Sequence, residues 1–250
     1  MKIRANVRKI EDETSRVKAF ADITLENCCM LRGMSVREND KGELFVSYPQ
    51  KPVFENGQPK KHENGKQVYT DIYYARSKEA NDAIKALVLE AYNSENGYAY
   101  INPAKGEAVN AYIEPHLHSC NDERVKASGF LEIGGYMKVT DVFVNLYQKQ
   151  TGESFLGVSY PHYQGSDEVY RNYVEPLEDG KLWDSKTKEE KDYNFRASVE
   201  GLMKKQTLGF HPELSELIKP SVQEKIDEAK KLSENTSGKT GEKSEMEIDV

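Results

Sequence analysis

Cysteine is scarce in this chain: three in 250 residues, two of them adjacent at Cys28-Cys29. That pattern offers no disulfide framework and suits a reducing, cytoplasmic setting. Long apolar runs are missing too; none approaches the roughly 18 residues a membrane span needs, so no membrane partner is expected. Met1-Lys2-Ile3-Arg4 opens without the apolar segment of a secretory signal. Nor is positive charge in excess. The net charge is −7 and the mean hydropathy −0.77, so the chain as a whole has no field that would attract nucleic acid. Any such contact must rest on a local patch. Residues 1–100 carry 16 Lys/Arg against 15 Asp/Glu, whereas residues 101–210 carry 13 against 17. Only the first hundred residues have the charge for it. Also absent are a Gly-rich phosphate loop, a Ser/His/Asp or Cys/His arrangement, and paired carboxylates with positional support. An enzyme is therefore not expected, and no cofactor.

What the chain does have is repetition. Arg16-Val17-Lys18-Ala19 returns as Arg124-Val125-Lys126-Ala127, and Val46-Ser47-Tyr48-Pro49 as Val158-Ser159-Tyr160-Pro161. Between these anchors Ile23 and Leu25 alternate like Leu131 and Ile133, and Cys29, Leu31, Met34 and Val36 answer Met137, Val139, Val142 and Val144. The offset is constant from Arg16 to Val36 and then grows by four, in the loop around 148–153. A third match sets Val68-Tyr69-Thr70-Asp71-Ile72 against Val169-Tyr170-Arg171-Asn172-Tyr173, after an insertion at 55–67. Offsets that change only in loops mark a true internal repeat, because loops tolerate insertion. The alternating pattern predicts strands joined as antiparallel meanders. First strands are expected at Ile3, Ala5, Val7 and at Val109, Ala111, Ile113. Each copy should close in a helix. Ser77 is an N-cap candidate ahead of the stripe Ala80, Ile84, Leu87, Val88 and Ala91. The second helix is expected over about 188–205, after an insertion at 175–187. The fold class is thus α+β: two tandem units, each an antiparallel sheet with one C-terminal helix. A helical arm (209–232) interrupted at Pro220 and a disordered Ser/Thr/Gly/Glu/Lys-rich tail (233–250) follow.

These residues resemble the SpoVG (stage V sporulation protein G, or septation protein) family. In order, the carrying segments are Arg16-Val17-Lys18-Ala19, Ile23-Thr24-Leu25, Gly42-Glu43-Leu44-Phe45-Val46-Ser47-Tyr48-Pro49 and Tyr69-Thr70-Asp71-Ile72, then the helix. The likeness spans nearly all of copy one (1–94) and, more weakly, copy two (107–208). It implies a sheet-and-helix domain whose members dimerise by joining sheets, so this tandem chain should close on itself as an intramolecular pseudo-dimer. It also implies a bacterial, phage or mobile-element regulator that binds DNA or RNA, with basic contacts following the Tyr48-Pro49 segment. Lys51 keeps one such position, and the insertion adds Lys60, Lys61 and Lys66. Copy two has His162-Tyr163-Gln164-Gly165-Ser166-Asp167-Glu168 there, neutral and acidic residues in place of basic ones.

Other candidates carry two readings each. Arg4 and Arg8 share a strand face by parity and, with Lys9, Arg32 and Arg37, extend a basic face or simply solvate a strand. Tyr48, Tyr69, Tyr73, Tyr74, Tyr160, Tyr163, Tyr170 and Tyr173 could stack bases or dock a protein. His116, His118 and Cys120 lie on one strand face at metal-ligand spacing, but no fourth ligand is evident, and an exposed strand edge is the simpler reading; no metal site is expected. Cys29 reads as core and Cys28 as pointing the opposite way. The function expected is a non-enzymatic nucleic-acid-binding regulator acting through copy one. The alternative is an acidic protein-interaction module, an inhibitor or adaptor with a protein partner.

Overall fold

The structure, a computed structural model, describes residues 2–12, 14–26, 28–102, 110–114, 122–165, 167–177, 180–184, 187 and 189–218. His116, His118 and Cys120, Val109, the tail, and the arm beyond Ile218 lie outside these residues.

Alternation of apolar and polar residues builds the first sheet. Strands β1 (Ile3–Lys9), β2 (Val17–Leu25) and β3 (Cys29–Glu38) pair antiparallel in sequence order, and β4 (Leu44–Ser47) follows on β3. Alternate residues face inward, with the phase shifting by one at Gly33 of β3: Ile3, Ala5 and Val7; Ala19, Ala21, Ile23 and Leu25; Leu31, Met34 and Val36 are all buried. Short strands continue the chain: β5 (Gln50–Pro52), β6 (Phe54–Glu55), β7 (Gln58–Pro59), β8 (Tyr69–Asp71) and β9 (Tyr73–Ala75). The 55–67 insertion thus contains its own hairpin. Asn56 and Gly57 have φ of 53° and 76°, the type I′ geometry that Asn-Gly adopts at little cost.

Helix α1 (Lys78–Asn93) starts where expected, Ser77 Oγ accepting from the Ala80 amide at 3.1 Å. All five stripe residues are buried, at roughly 1.5–3 kcal/mol for each large side chain. The stripe packs onto the inner face of the first sheet. The stretch after α1, beyond the 1–94 bounds expected for copy one, supplies β10 (Tyr98–Ile101), which pairs with β1 at the sheet edge. The alternation Tyr98-Ala99-Tyr100-Ile101 carried that signal.

The second sheet repeats the order with β11 (Asn110–Glu114), β12 (Val125–Ile133), β13 (Met137–Gln148) and β14 (Ser154–Ser159). Then come β15 (His162–Gln164), β16 (Tyr170–Asn172) and β17 (Val174–Pro176). The helix expected over 188–205 begins later. β18 (Gly180–Asp184) and β19 (Glu189–Tyr193) form a hairpin, and α2 (Phe195–Phe210) starts after Asn194, whose side chain accepts from the Ala197 amide at 2.8 Å. Asn is a strong N-cap and sets the boundary; Tyr193 therefore lies on a strand. Phe195, Val199 and Met203 of α2 are fully buried. A single short turn, α3 (Leu214–Leu217), represents the arm among the described residues, with Leu214 buried.

The two sheets exchange strands. β9 leaves the first unit and pairs with β13 (Val139↔Tyr73), while β17 leaves the second and pairs with β3 (Val174↔Leu31). Each short strand continues the other sheet, and one apolar cluster runs through both units. Both receiving strands turn at matching points. Gly33 on β3 has φ +88° and Asp141 on β13 has φ +57°, and the constant sequence offset aligns these two positions.

Cys28 does not point away from Cys29. It sits in the tight turn after Leu25, donates its thiol to the Leu25 carbonyl at 3.0 Å, and is buried with its neighbour. Burial pushes the Cys28 thiol up to about 12 and Cys29 well above its ordinary value. Neither supplies a thiolate at neutral pH. Both are expected to react with a thiol reagent only as fast as the chain opens, which peptide mapping by mass spectrometry would read; fast labelling of the folded protein would refute the burial.

Candidate nucleic-acid interface

The six residues expected to contact nucleic acid fall into two separate groups. Four of them, Lys51, Lys60, Lys61 and Lys66, belong to the β5–β8 region. Lys51 is ion-paired with Asp141 of the second unit, so it joins the two units. Lys60 is paired with Glu55 at 3.3 Å on its own hairpin. Lys61 sits at an isolated bridge to Gln67, and Lys66 beside the 63–65 turn.

Arg4 and Arg8 belong to a different surface. They project from β1 on the face opposite α1, as strand parity requires. The register then sets their neighbours. Tyr100 lies beside Arg4 across the β10 pairing, Phe20 beside Arg8 across the β2 pairing, and Phe45 beside Arg37 across the β3–β4 pairing. Tyr98 and Tyr100 have centroids 6.4 Å apart, and Lys2 Nζ lies 4.4 Å over the Tyr100 ring. Phe20, Phe45, Tyr98 and Tyr100 are exposed at 48%, 42%, 38% and 52%. Large aromatics left half in water, alternating with guanidinium groups, form an open sheet face with stacking surfaces and phosphate donors side by side.

Charge on this face is partly balanced. Asp22 receives Arg8 at 3.3 Å and Arg32 at 3.5 Å, and Arg32 also holds Glu175 of the exchanged β17, Nε to Oε2 at 2.9 Å. These carboxylates keep the Arg32 guanidinium above its ordinary pKa in spite of partial burial. No pairing of Arg4 or Arg37 is present among the described residues.

The second sheet turns a similar face outward. Tyr112 and Phe130 stack at 4.9 Å with Lys138 Nζ 3.7 Å over the Phe130 ring, and Tyr147 stacks on Phe155 at 5.5 Å. Fewer cations accompany these rings, in keeping with the acidic balance of residues 101–210.

Of the tyrosines singled out from sequence, Tyr73 is fully buried and Tyr160 nearly so. They are core residues. The aromatic face is made instead by Phe20, Phe45, Tyr98 and Tyr100, which the sequence reading passed over. Their signal was an aromatic at the polar parity of a strand. Among the described residues no three His, Cys, Asp or Glu side chains come together to hold a metal ion, and no helix is long and apolar enough to cross a membrane.

Comparison with known proteins bears on the unit that carries both groups of cations. No solved structure matches the chain. A SpoVG septation protein of Bdellovibrio bacteriovorus is 34% identical over 80 residues, 32% of this chain and 63% of the relative. One of Archaeoglobus fulgidus is 30% identical over 79 residues, 32% of this chain and 79% of the relative. The chain therefore spans somewhat under two thirds of the first relative's length and more than three quarters of the second's. Residues 1–94 match the SpoVG family model, and on this evidence the chain belongs to the SpoVG family.

Proposed function

We propose that this protein is a non-enzymatic nucleic-acid-binding regulator of the SpoVG type, with a regulatory or septation-related role. The observation that carries the reading is the open face of the first sheet, where Arg4, Arg8 and Arg37 alternate with Tyr100, Phe20 and Phe45. Aromatic rings at this spacing suit unpaired bases, and arginines suit the backbone between them. Single-stranded DNA or RNA is the better-matched ligand. The Lys60/Lys61/Lys66 hairpin is an auxiliary contact.

The same reading treats residues 1–94 and 107–208 as tandem units closed into an intramolecular pseudo-dimer. Supporting it are the repeated strand order, the aligned turns at Gly33 and Asp141, and the reciprocal exchange of β9 and β17. Joining the units in one chain raises the effective concentration of each for the other.

Fluorescence anisotropy with labelled single strands and duplexes tests the ligand. Binding should weaken as salt rises. The Arg4→Ala/Arg8→Ala/Arg37→Ala protein should lower the slope of log K against log salt by about 2 for single strands, from roughly 0.7 per phosphate contact. The Lys60→Ala/Lys61→Ala/Lys66→Ala protein should change it less. The reverse order would move the site to the hairpin. No binding even at low salt would sink the reading. The acidic interaction module would then stand, favoured by the net charge of −7 and by the carboxylates already holding Lys51 and Lys60.

A further inference from the structure

The aligned turns differ in what fills them. At Gly33 the space beside the backbone is taken by the Tyr173 ring; a Cβ built there would lie 3.0 Å from Tyr173 Cε1. At Asp141 the corresponding neighbour is Ile72, the residue that Tyr173 matches in the repeat. The Thr140 amide donates to the Ile72 carbonyl at 3.0 Å, as the Arg32 amide donates to that of Tyr173 at 2.8 Å. A cleft of about 390 Å³ opens at the junction of the units, with Ile72, Asp141 and Tyr173 in its lining. Its volume falls in the range of small-molecule sites.

Pro52, Phe143, Pro161 and Tyr173 supply apolar walls, Lys51 and Asp141 form a charged edge, and Gln50, Ser159 and His162 add polar groups to the lining. Asp141 keeps a left-handed backbone that a non-glycine residue adopts only at some cost, and such positions concentrate at functional sites. Its carboxylate is held through Oδ2, which meets both Lys51 Nζ and Thr140 Oγ1. Among the described residues Oδ1 has no hydrogen-bond partner. The charges of Lys51 and Asp141 cancel, so neither a free anion nor a free cation is favoured. A neutral planar ligand with donors and an acceptor along one edge fits both walls and edge.

We infer that this cleft binds an unpaired guanine base. Of the four bases, guanine alone places two adjacent donors, N1–H and N2–H, next to an acceptor, O6. The Asp141 carboxylate accepts from the two donors and Lys51 turns to donate to O6, while Phe143 and Tyr173 cover the ring faces. The inference rests on the nucleic-acid reading and makes the junction of the units a base-reading site beside the sheet face.

Free nucleosides test it apart from strand binding, because they have no phosphate backbone for the arginine face to hold. In an NMR titration of methyl-labelled protein, guanosine should shift the Ile72 methyls saturably. Adenosine, cytidine and uridine should bind at least about tenfold more weakly. Asp141→Asn, which tolerates the same backbone, should weaken guanosine about tenfold, and so should Lys51→Met. The inference is overturned by an absence of saturable shifts, by equal shifts from all four nucleosides, or by guanosine binding unchanged in both variants. Guanosine binding without any single-strand binding would support the cleft and overturn the sheet-face reading alone.

Discussion

Tyr73→Ala is expected to destabilise the protein by about 4 kcal/mol, within the range for deleting a buried aromatic. Tyr73 is fully buried and meets the Tyr48 ring edge-on at 5.9 Å. Its hydroxyl donates to the Arg32 carbonyl at 2.9 Å. Burial holds the phenol well above its ordinary pKa, so it remains a neutral donor throughout the working pH range. The residue also sits on β9, the strand that leaves one sheet for the other. Deleting the ring therefore opens a cavity where both units meet. Urea unfolding should show one cooperative transition moved to lower denaturant. Tyr73→Phe, which keeps the ring and loses the hydrogen bond, should cost only about 1 kcal/mol. Two separated transitions in the alanine variant, one at the parent midpoint, would show that the exchanged strands do not couple the units.

The second large effect is expected at Gly129→Ala, at the upper end of the roughly 1–3 kcal/mol that overpacking costs, or beyond it. A Cβ there would lie 2.1 Å from the Tyr112 carbonyl oxygen and 3.0 Å from Met203 Cε. The first contact is with backbone, so β12 must move off β11 or the helix must lift. A flexible side chain can yield, and a paired strand cannot do so without losing its ladder. Met203→Ala should consequently fail to rescue Gly129→Ala. A thermal midpoint within a degree of the parent's, or full rescue by Met203→Ala, would refute the close approach of strand and strand.

These two residues show what the sequence could and could not reveal. The apolar positions matched across the repeat, from Ile23 against Leu131 to Val36 against Val144, are all buried, because alternation reports the inward face directly. Ser77 and its stripe were legible for the same reason: they depend on residues within one turn of each other. The exchange of β9 and β17 was not. It pairs residues far apart in the chain, and three-residue strands carry too little pattern to announce a partner. α2 began later than expected because pairing of β18 with β19 outweighed helix propensity over 189–193. The site fared similarly. Arg4 and Arg8 were placed on a common face by parity alone. Lys51 looked like a free cation because its partner, Asp141, lies in the other unit. The aromatic neighbours of the arginines come from β10, β2 and β4, and only the register brings them together. One clue was present in the text of the chain: Arg32-Gly33-Met34 aligns with Thr140-Asp141-Val142, a glycine answered by a residue that cannot share its backbone freely.

The exchanged strands bear on how such a protein can change over time. When two identical chains trade strands, each substitution at the junction appears twice, and both places must accept it. Here the two traded segments, Tyr73–Ala75 and Val174–Pro176, are written separately in one chain. A substitution is tried at one place while the other keeps the arrangement that already works. Glycine meets tyrosine at one corner and aspartate meets isoleucine at the other, two unlike corners that a single chain holds side by side.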